Sequence, residues 1–253
     1  MDEKACSRET IIFVHGNASS RAIWNEVIAA LPERFECVTF DLPGHGVHDS
    51  TVPGSFELLT DALASVVAGV EGGAVHLVGH SLGGLICARF ARNRPGKVRT
   101  LSLLATPLGR TSAHLQGAAA FLGKIEQRGL FESLSSLKDR WYTTDFATRH
   151  PEVLADRLRQ LEALDPRVFV ATYKIYIDPR NETSVADLRM PVFFLSGELA
   201  DGFDPSVQEE LARHHSHASC LLYPGIKNGI LTECPERVAG DIERFISVQR
   251  KPL

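Results

Sequence analysis

Six short runs of apolar and β-branched residues recur along the chain, at Thr10–Val14, Cys37–Phe40, Val75–Val78, Thr100–Leu104, Val192–Ser196 and Cys220–Tyr223. They are short and mostly continuous, which suits central parallel strands buried on both faces. Between them the apolar positions take a helical spacing, over Trp24–Leu31, Phe56–Val70, Leu82–Arg92, Ser206–His214 and Glu236–Val248. Pro235 stands at the entry to the last of these, where its missing N–H is harmless. Strand–helix alternation with short connections predicts an α/β fold, a mostly parallel doubly wound sheet of about six strands, with the site at the strand carboxyl ends.

The alternation breaks between Thr111 and about Arg180. That stretch is helical in pattern, with Leu154, Leu158 and Leu161 on one face. The expected organisation is therefore a core of residues 1–110 and 181–253 with a helical insertion of residues 111–180. At 253 residues the chain can bury one large core. The net charge of −4, with Lys and Arg scattered, argues against a nucleic-acid partner. No apolar run approaches the ~20 residues that span a bilayer, so no membrane partner is expected. The first six residues are polar and lack the apolar centre of a signal peptide. The five cysteines (Cys6, Cys37, Cys87, Cys220 and Cys234) have no CxxC pairing, as suits free thiols in a reducing cytoplasm. No metal or cofactor is expected.

The chemistry concentrates in Gly79-His80-Ser81-Leu82-Gly83-Gly84, between a predicted strand and a predicted helix. A G-x-S-x-G in that setting is a nucleophile elbow: the glycines allow a turn too tight for side chains, and the serine oxygen is held out above the sheet. Phe13-Val14-His15-Gly16-Asn17 ends one strand and Asp41-Leu42-Pro43-Gly44-His45-Gly46 ends the next. In this order and spacing the three motifs resemble the α/β-hydrolase family across almost the whole chain. The resemblance implies an oxyanion hole from the backbone N–H groups of Asn17 and Leu82. It also implies that residues 111–180 form a cap over the site. The family's leading antiparallel hairpin is expected to be missing, because only nine residues precede Thr10. The run from Gly123 to Phe146 is similar to the cap of the 3-oxoadipate enol-lactonase branch, whose members open a small lactone with a serine triad. Trp141, Tyr142 and Phe146 then either line a substrate pocket or form the core of the cap.

The rest of the triad does not follow the pattern. Against the branch's acid loop, Gly197-Glu198-Leu199-Ala200-Asp201 places Ala200 where the aspartate belongs. Asp201 comes one residue late, as a possible substitute whose side chain is expected to point away from the base position. In the base loop, Pro224-Gly225-Ile226-Lys227-Asn228 through Pro235-Glu236 matches without a gap and puts Asn228 at the histidine position. No histidine follows His217. Asn228 is expected within direct or water-bridged hydrogen-bonding distance of Ser81 Oγ. An amide donates and accepts hydrogen bonds but does not take a proton from serine at neutral pH.

The other histidines offer no evident replacement. His15 and His80 read as structural, and His45 and His48 lie on the loop after the second strand. His76 belongs to a strand, and His114 and His150 lie in the cap. His214, His215 and His217 cluster at a helix end without a carboxylate or cysteine partner. Three readings remain open. The first is an enzyme of this fold using the Ser81 elbow and oxyanion hole for non-hydrolytic chemistry (cyclisation, isomerisation, elimination or decarboxylation) on a small carbonyl substrate. The second is an esterase, lactonase or thioesterase with a non-standard base, and the third is an inactive ligand-binding protein.

Overall fold

The computed structural model describes residues 8–46, 51–135 and 138–249. Cys6, His48 and the first seven residues, where no hairpin was expected, lie outside them.

Six strands form one all-parallel sheet: β1 Glu9–Val14, β2 Phe35–Thr39, β3 Val75–His80, β4 Val98–Leu104, β5 Val192–Gly197 and β6 Ala218–Tyr223. Their spatial order is β2-β1-β3-β4-β5-β6, so the winding reverses between β1 and β3. The continuous apolar runs are explained by what covers each face. Ile12 and Val14 of β1, Leu77 of β3 and Phe194 of β5 enter one core beneath α2 (Phe56–Ala68) and α3 (Leu82–Asn93). Their neighbours Ile11, Phe13, Val78 and Leu195 enter the opposite core, beneath α1 (Asn25–Ala29), α11 (Ile230–Glu233) and α12 (Pro235–Val248). Successive strand residues point to opposite faces, and here both faces are dry.

Between β4 and β5 the chain runs through six helices: α4 Ser112–Arg128, α5 Leu130–Ser135, α6 Lys138–Trp141, α7 Thr144–Arg149, α8 Pro151–Glu162 and α9 Pro166–Ile177. They share a third apolar cluster, with Phe121, Ile125, Leu134, Leu161 and Phe169 buried around Ala18 of the β1–α1 loop. That contact seats the helical segment on the carboxyl edge of the sheet. Helix α10 (Ser206–His214) follows β5. Among the described residues no helix is long and apolar enough to cross a membrane.

The non-glycine residues with positive φ are Ala18 (54°), Ser81 (53°) and Ala105 (42°), each just beyond the carboxyl end of β1, β3 or β4. Backbone strain of about 1–3 kcal/mol per residue persists where the surrounding fold over-determines it, commonly at functional sites. At the elbow the chain turns so tightly that a Cβ on Gly83 would collide with the carbonyl oxygens of Val14 and His15. A Cβ on Gly123, inside α4, meets nothing. Gly83→Ala is expected to cost ~3 kcal/mol in denaturant unfolding. Gly123→Ala is expected to stabilise by ~0.5–1 kcal/mol through helix propensity alone. Equal effects of the two would show that the elbow is not tightly packed.

Candidate active site

Ser81 caps α3 at φ 53° and ψ −119°, and its backbone N–H is tied to the Leu104 carbonyl at 2.9 Å. Leu82 opens α3, so its N–H is among those with no acceptor within the helix. On the neighbouring loop the Asn17 side-chain oxygen accepts from Ala18 N–H (2.9 Å) and from Thr172 Oγ (2.5 Å), which fixes the turn that carries the Asn17 N–H.

Two imidazoles clamp that turn. His15 Nε2 accepts from Leu42 N–H at 3.0 Å, so the proton sits on Nδ1 and is donated to the Gly16 carbonyl at 2.8 Å. His45 Nε2 accepts from Ala18 N–H at 3.2 Å. Burial pushes the His15 pKa down to about 3, reinforced by His45. His80, beside Ser81, is pushed down to about 4 by burial and by Arg157, partly opposed by the nearby Asn228 backbone. Both residues are neutral at pH 7, as the sequence reading of His15 and His80 as structural requires.

A cavity of about 390 Å³ opens above the elbow, with a second of about 190 Å³ beside it. Ser81, Asn17, Asn228, Asp201 and Trp141 line both, while Tyr142 lines the smaller. Two expectations need correction. Phe146 lines neither cavity; it packs on Tyr142 and His150, at ring separations of 5.4 and 4.7 Å. Asn228 and Ser81 line both cavities together, and so does Tyr176, whose hydroxyl lies near that of Ser81.

The second correction concerns Asp201, which turns toward residue 228 and not away from it: Asn228 Nδ2 donates to Asp201 Oδ1 at 3.0 Å, and Arg140 Nε donates to Asp201 Oδ2. Backbone bonding explains the difference. Glu198 N–H donates to the Tyr223 carbonyl at 3.0 Å and Leu199 N–H to the Ile226 carbonyl at 2.9 Å, which sews residues 198–199 to the base loop. Ala200 is buried in the apolar cluster below, so Asp201 is the residue left to lean over Asn228. Counting along the chain missed this, because the loop's path is set by its neighbour.

The sequence reading also missed Arg110, Arg157, Tyr173 and Tyr176, all on the larger cavity. One signal was available: Phe169, Tyr173 and Tyr176 follow one another at helical spacing on a single face of α9. Among the described residues the other histidines do not reach Ser81 through a hydrogen bond. His114 lines the cavity, but its Nδ1 accepts Thr111 N–H at the start of α4. His150 pairs with Glu152, and His214 and His215 bond to backbone carbonyls. Among the described residues no group of three or more His, Cys, Asp or Glu side chains could hold a metal ion.

The alpha/beta hydrolase family model matches residues 11–240. The chain belongs to the alpha/beta hydrolase family. It is 26% identical over 223 residues to the pimeloyl-acyl-carrier-protein methyl ester esterase of Pseudoalteromonas atlantica, covering 83% of this chain and 84% of that one. Its fold is similar to the enol-lactonase of Burkholderia xenovorans LB400, with a TM-score of 0.84, 19% identity and coverage of 97% and 94%. It is similar also to a thermophilic esterase from Thermogutta terrifontis, with a TM-score of 0.83, 22% identity and coverage of 96% and 91%. The family's fold is thus present here, with Ser81 on the turn between β3 and α3.

The low His15 pKa sets a pH dependence of stability. Unfolded, this imidazole takes up a proton near its ordinary 6.5, and folded only near 3. The unfolded chain binds more protons between those values, so stability is fully present above pH 6.5 and is lost as the pH falls toward 3. The urea midpoint is expected to fall across this window, with His15 contributing up to about 1.4 kcal/mol per pH unit. His15→Gln should be less stable at neutral pH and show a shallower acid slope. Identical slopes for the two proteins would rule out a buried neutral His15.

Proposed function

We propose that this chain is an enzyme that binds a small carbonyl compound between the Ser81 elbow and the helices of residues 112–177. It converts that compound by non-hydrolytic chemistry, such as cyclisation, isomerisation, elimination or decarboxylation. In this reading residues 111–180 are the cap over a core of residues 1–110 and 181–253. Trp141 and Tyr142 flank the substrate, and no cofactor takes part. The observation that carries it is the occupant of the base position: Asn228, an amide that donates to Asp201. Such a group orients a substrate but does not deprotonate a serine.

The neighbours of Ser81 support the same reading. His80 is held neutral with a pKa near 4, too weakly basic to activate an alcohol. Burial raises the Tyr176 pKa above the ordinary tyrosine value, so its hydroxyl keeps its proton and serves as a donor or acid. The Ser81 and Tyr176 hydroxyls, with the N–H groups of Asn17 and Leu82, then form a set of donors for a carbonyl oxygen that becomes an enolate or oxyanion. Each well-placed donor of this kind is worth about 3–4 kcal/mol in the transition state.

Ester hydrolysis is the second reading, favoured by the likeness to a methyl ester esterase. Two measurements separate them. A serine-directed fluorophosphonate is expected to label the wild type poorly, because phosphylation needs an activated oxygen. Asn228→His should gain labelling and ester turnover by ~10²-fold or more, since Asp201 already contacts residue 228 and can orient an imidazole there. In the native reaction Ser81→Ala should cost on the order of 10–10³-fold, as for a lost hydrogen bond. The ~10⁶-fold loss of an obligatory nucleophile, or rapid stoichiometric labelling of wild-type Ser81, overturns the proposal in favour of hydrolysis.

A further inference from the structure

The polar lining of the larger cavity is unbalanced. Among the described residues three arginines, Arg110, Arg140 and Arg157, face a single carboxylate, Asp201. The chain as a whole carries net charge −4, so this excess of positive charge is local. Asp201 is taken by Arg140. Of the other two, Arg110 makes a long ion pair with Glu182, outside the cavity lining, and Arg157 has no carboxylate partner among the described residues.

Arg110 is the more constrained. Its side chain is only 3% exposed. Nη1 donates to the Tyr176 carbonyl at 2.7 Å, and the guanidinium carbon lies 5.3 Å from the centre of the Tyr176 ring. Nε and Nη2 are buried without any hydrogen-bond acceptor. The nearest carboxylate oxygen, on Glu182, is 3.9 Å from Nε, and the other Glu182 oxygen accepts Gly109 N–H. Arg157 reaches the Ala18 carbonyl through Nη1 and stacks over Trp141 at 5.5 Å, with no carboxylate partner among the described residues. Glu182 offsets the Arg110 charge at long range but leaves both donors without an acceptor; buried donors in that state are costly, and natural proteins retain them where a ligand or partner completes them.

We propose that the cavity takes carbonyl compounds bearing a carboxylate, and that Arg110 holds that carboxylate through its free Nε–Nη2 edge. The planar edge matches the two oxygens of a carboxylate in a bidentate pair. Arg157, which lines both cavities with Ser81, is the second cation and attracts negative charge to the reacting end. This deepens the reading of the Ser81 site as a pocket for a small carbonyl compound, and rests on it.

The test is a binding measurement, independent of turnover. Straight-chain keto acids, from pyruvate to 6-oxoheptanoate, are titrated calorimetrically against the corresponding neutral keto amides. The expected result is that at least one acid binds about tenfold or more tighter than its amide, and that added salt erodes the preference. Arg110→Gln should abolish that preference and Arg110→Lys should restore it only in part, with thermal unfolding confirming that each variant folds. If Arg110→Gln does not fold, the acid-against-amide comparison on the wild type decides the matter. No saturable binding by any acid, equal binding of acids and amides, or an unchanged preference in folded Arg110→Gln overturns the proposal. Acid-selective binding without any chemistry on the bound compounds would uphold the carboxylate site and count against the enzymatic reading. Turnover of neutral carbonyl compounds with no acid preference would do the reverse.

Discussion

The candidate site is organised around the carboxylate of Asp201, which accepts from Asn228 on one side and from Arg140 on the other. Through it the loop after β5, the loop after β6 and the segment between β4 and β5 meet at one point. Two further contacts hold the same junction: Lys227 Nζ donates to the Asp139 carbonyl at 2.6 Å, and Thr143 donates to Glu233 from both its backbone and its hydroxyl. Gly229 leaves no room for a Cβ against the Tyr142 ring, so the buried tyrosine packs directly on the base loop. Lys227, Asn228 and Gly229 are the residues of this loop that contact the junction. The Arg140–Asp201 pair is about two-fifths exposed, and pairs of that kind contribute ~0–1 kcal/mol. Its importance is geometric.

Around this junction the protein sets a rigid frame against a polar cavity. Three strained residues stand at the ends of adjacent strands, and two imidazoles bind the β1 turn to the β2 loop. All of this lies where the winding of the sheet reverses, the place where open α/β sheets leave a crevice for ligands. Donors fixed in that way need little reorganisation when charge develops on a substrate, and they act more strongly where water is scarce. The proposed reading, in which Asn228 stands in place of a base, draws on this frame: it favours reactions in which polarising the carbonyl is the main requirement.

The strands, their parallel arrangement and the elbow were legible along the chain because they are local. A run such as Val75–Val78 declares a strand buried on both faces, and the glycines about Ser81 declare a turn no side chain could enter. The loop between Pro224-Gly225 and Pro235 was legible as a turn as well. The direction of the Asp201 side chain was not, because the backbone bonds that set it run to Tyr223 and Ile226 on another loop. The same holds for Phe146, whose aromatic character suited a pocket but whose packing against Tyr142 took it elsewhere.

By itself the sequence determined the α/β class, the order of the elements and the position of the elbow. Each depends on residue identity and short-range period, which survive whatever the loops do. Only the tertiary structure decided which side chains share the cavity. Arg110, Arg157 and Tyr176 come from three separate segments, and nothing in their own neighbourhoods marks them as partners of Ser81. Their convergence arises when the helices of residues 112–177 close their apolar cluster around Ala18, which turns distant polar side chains into the walls of one cavity.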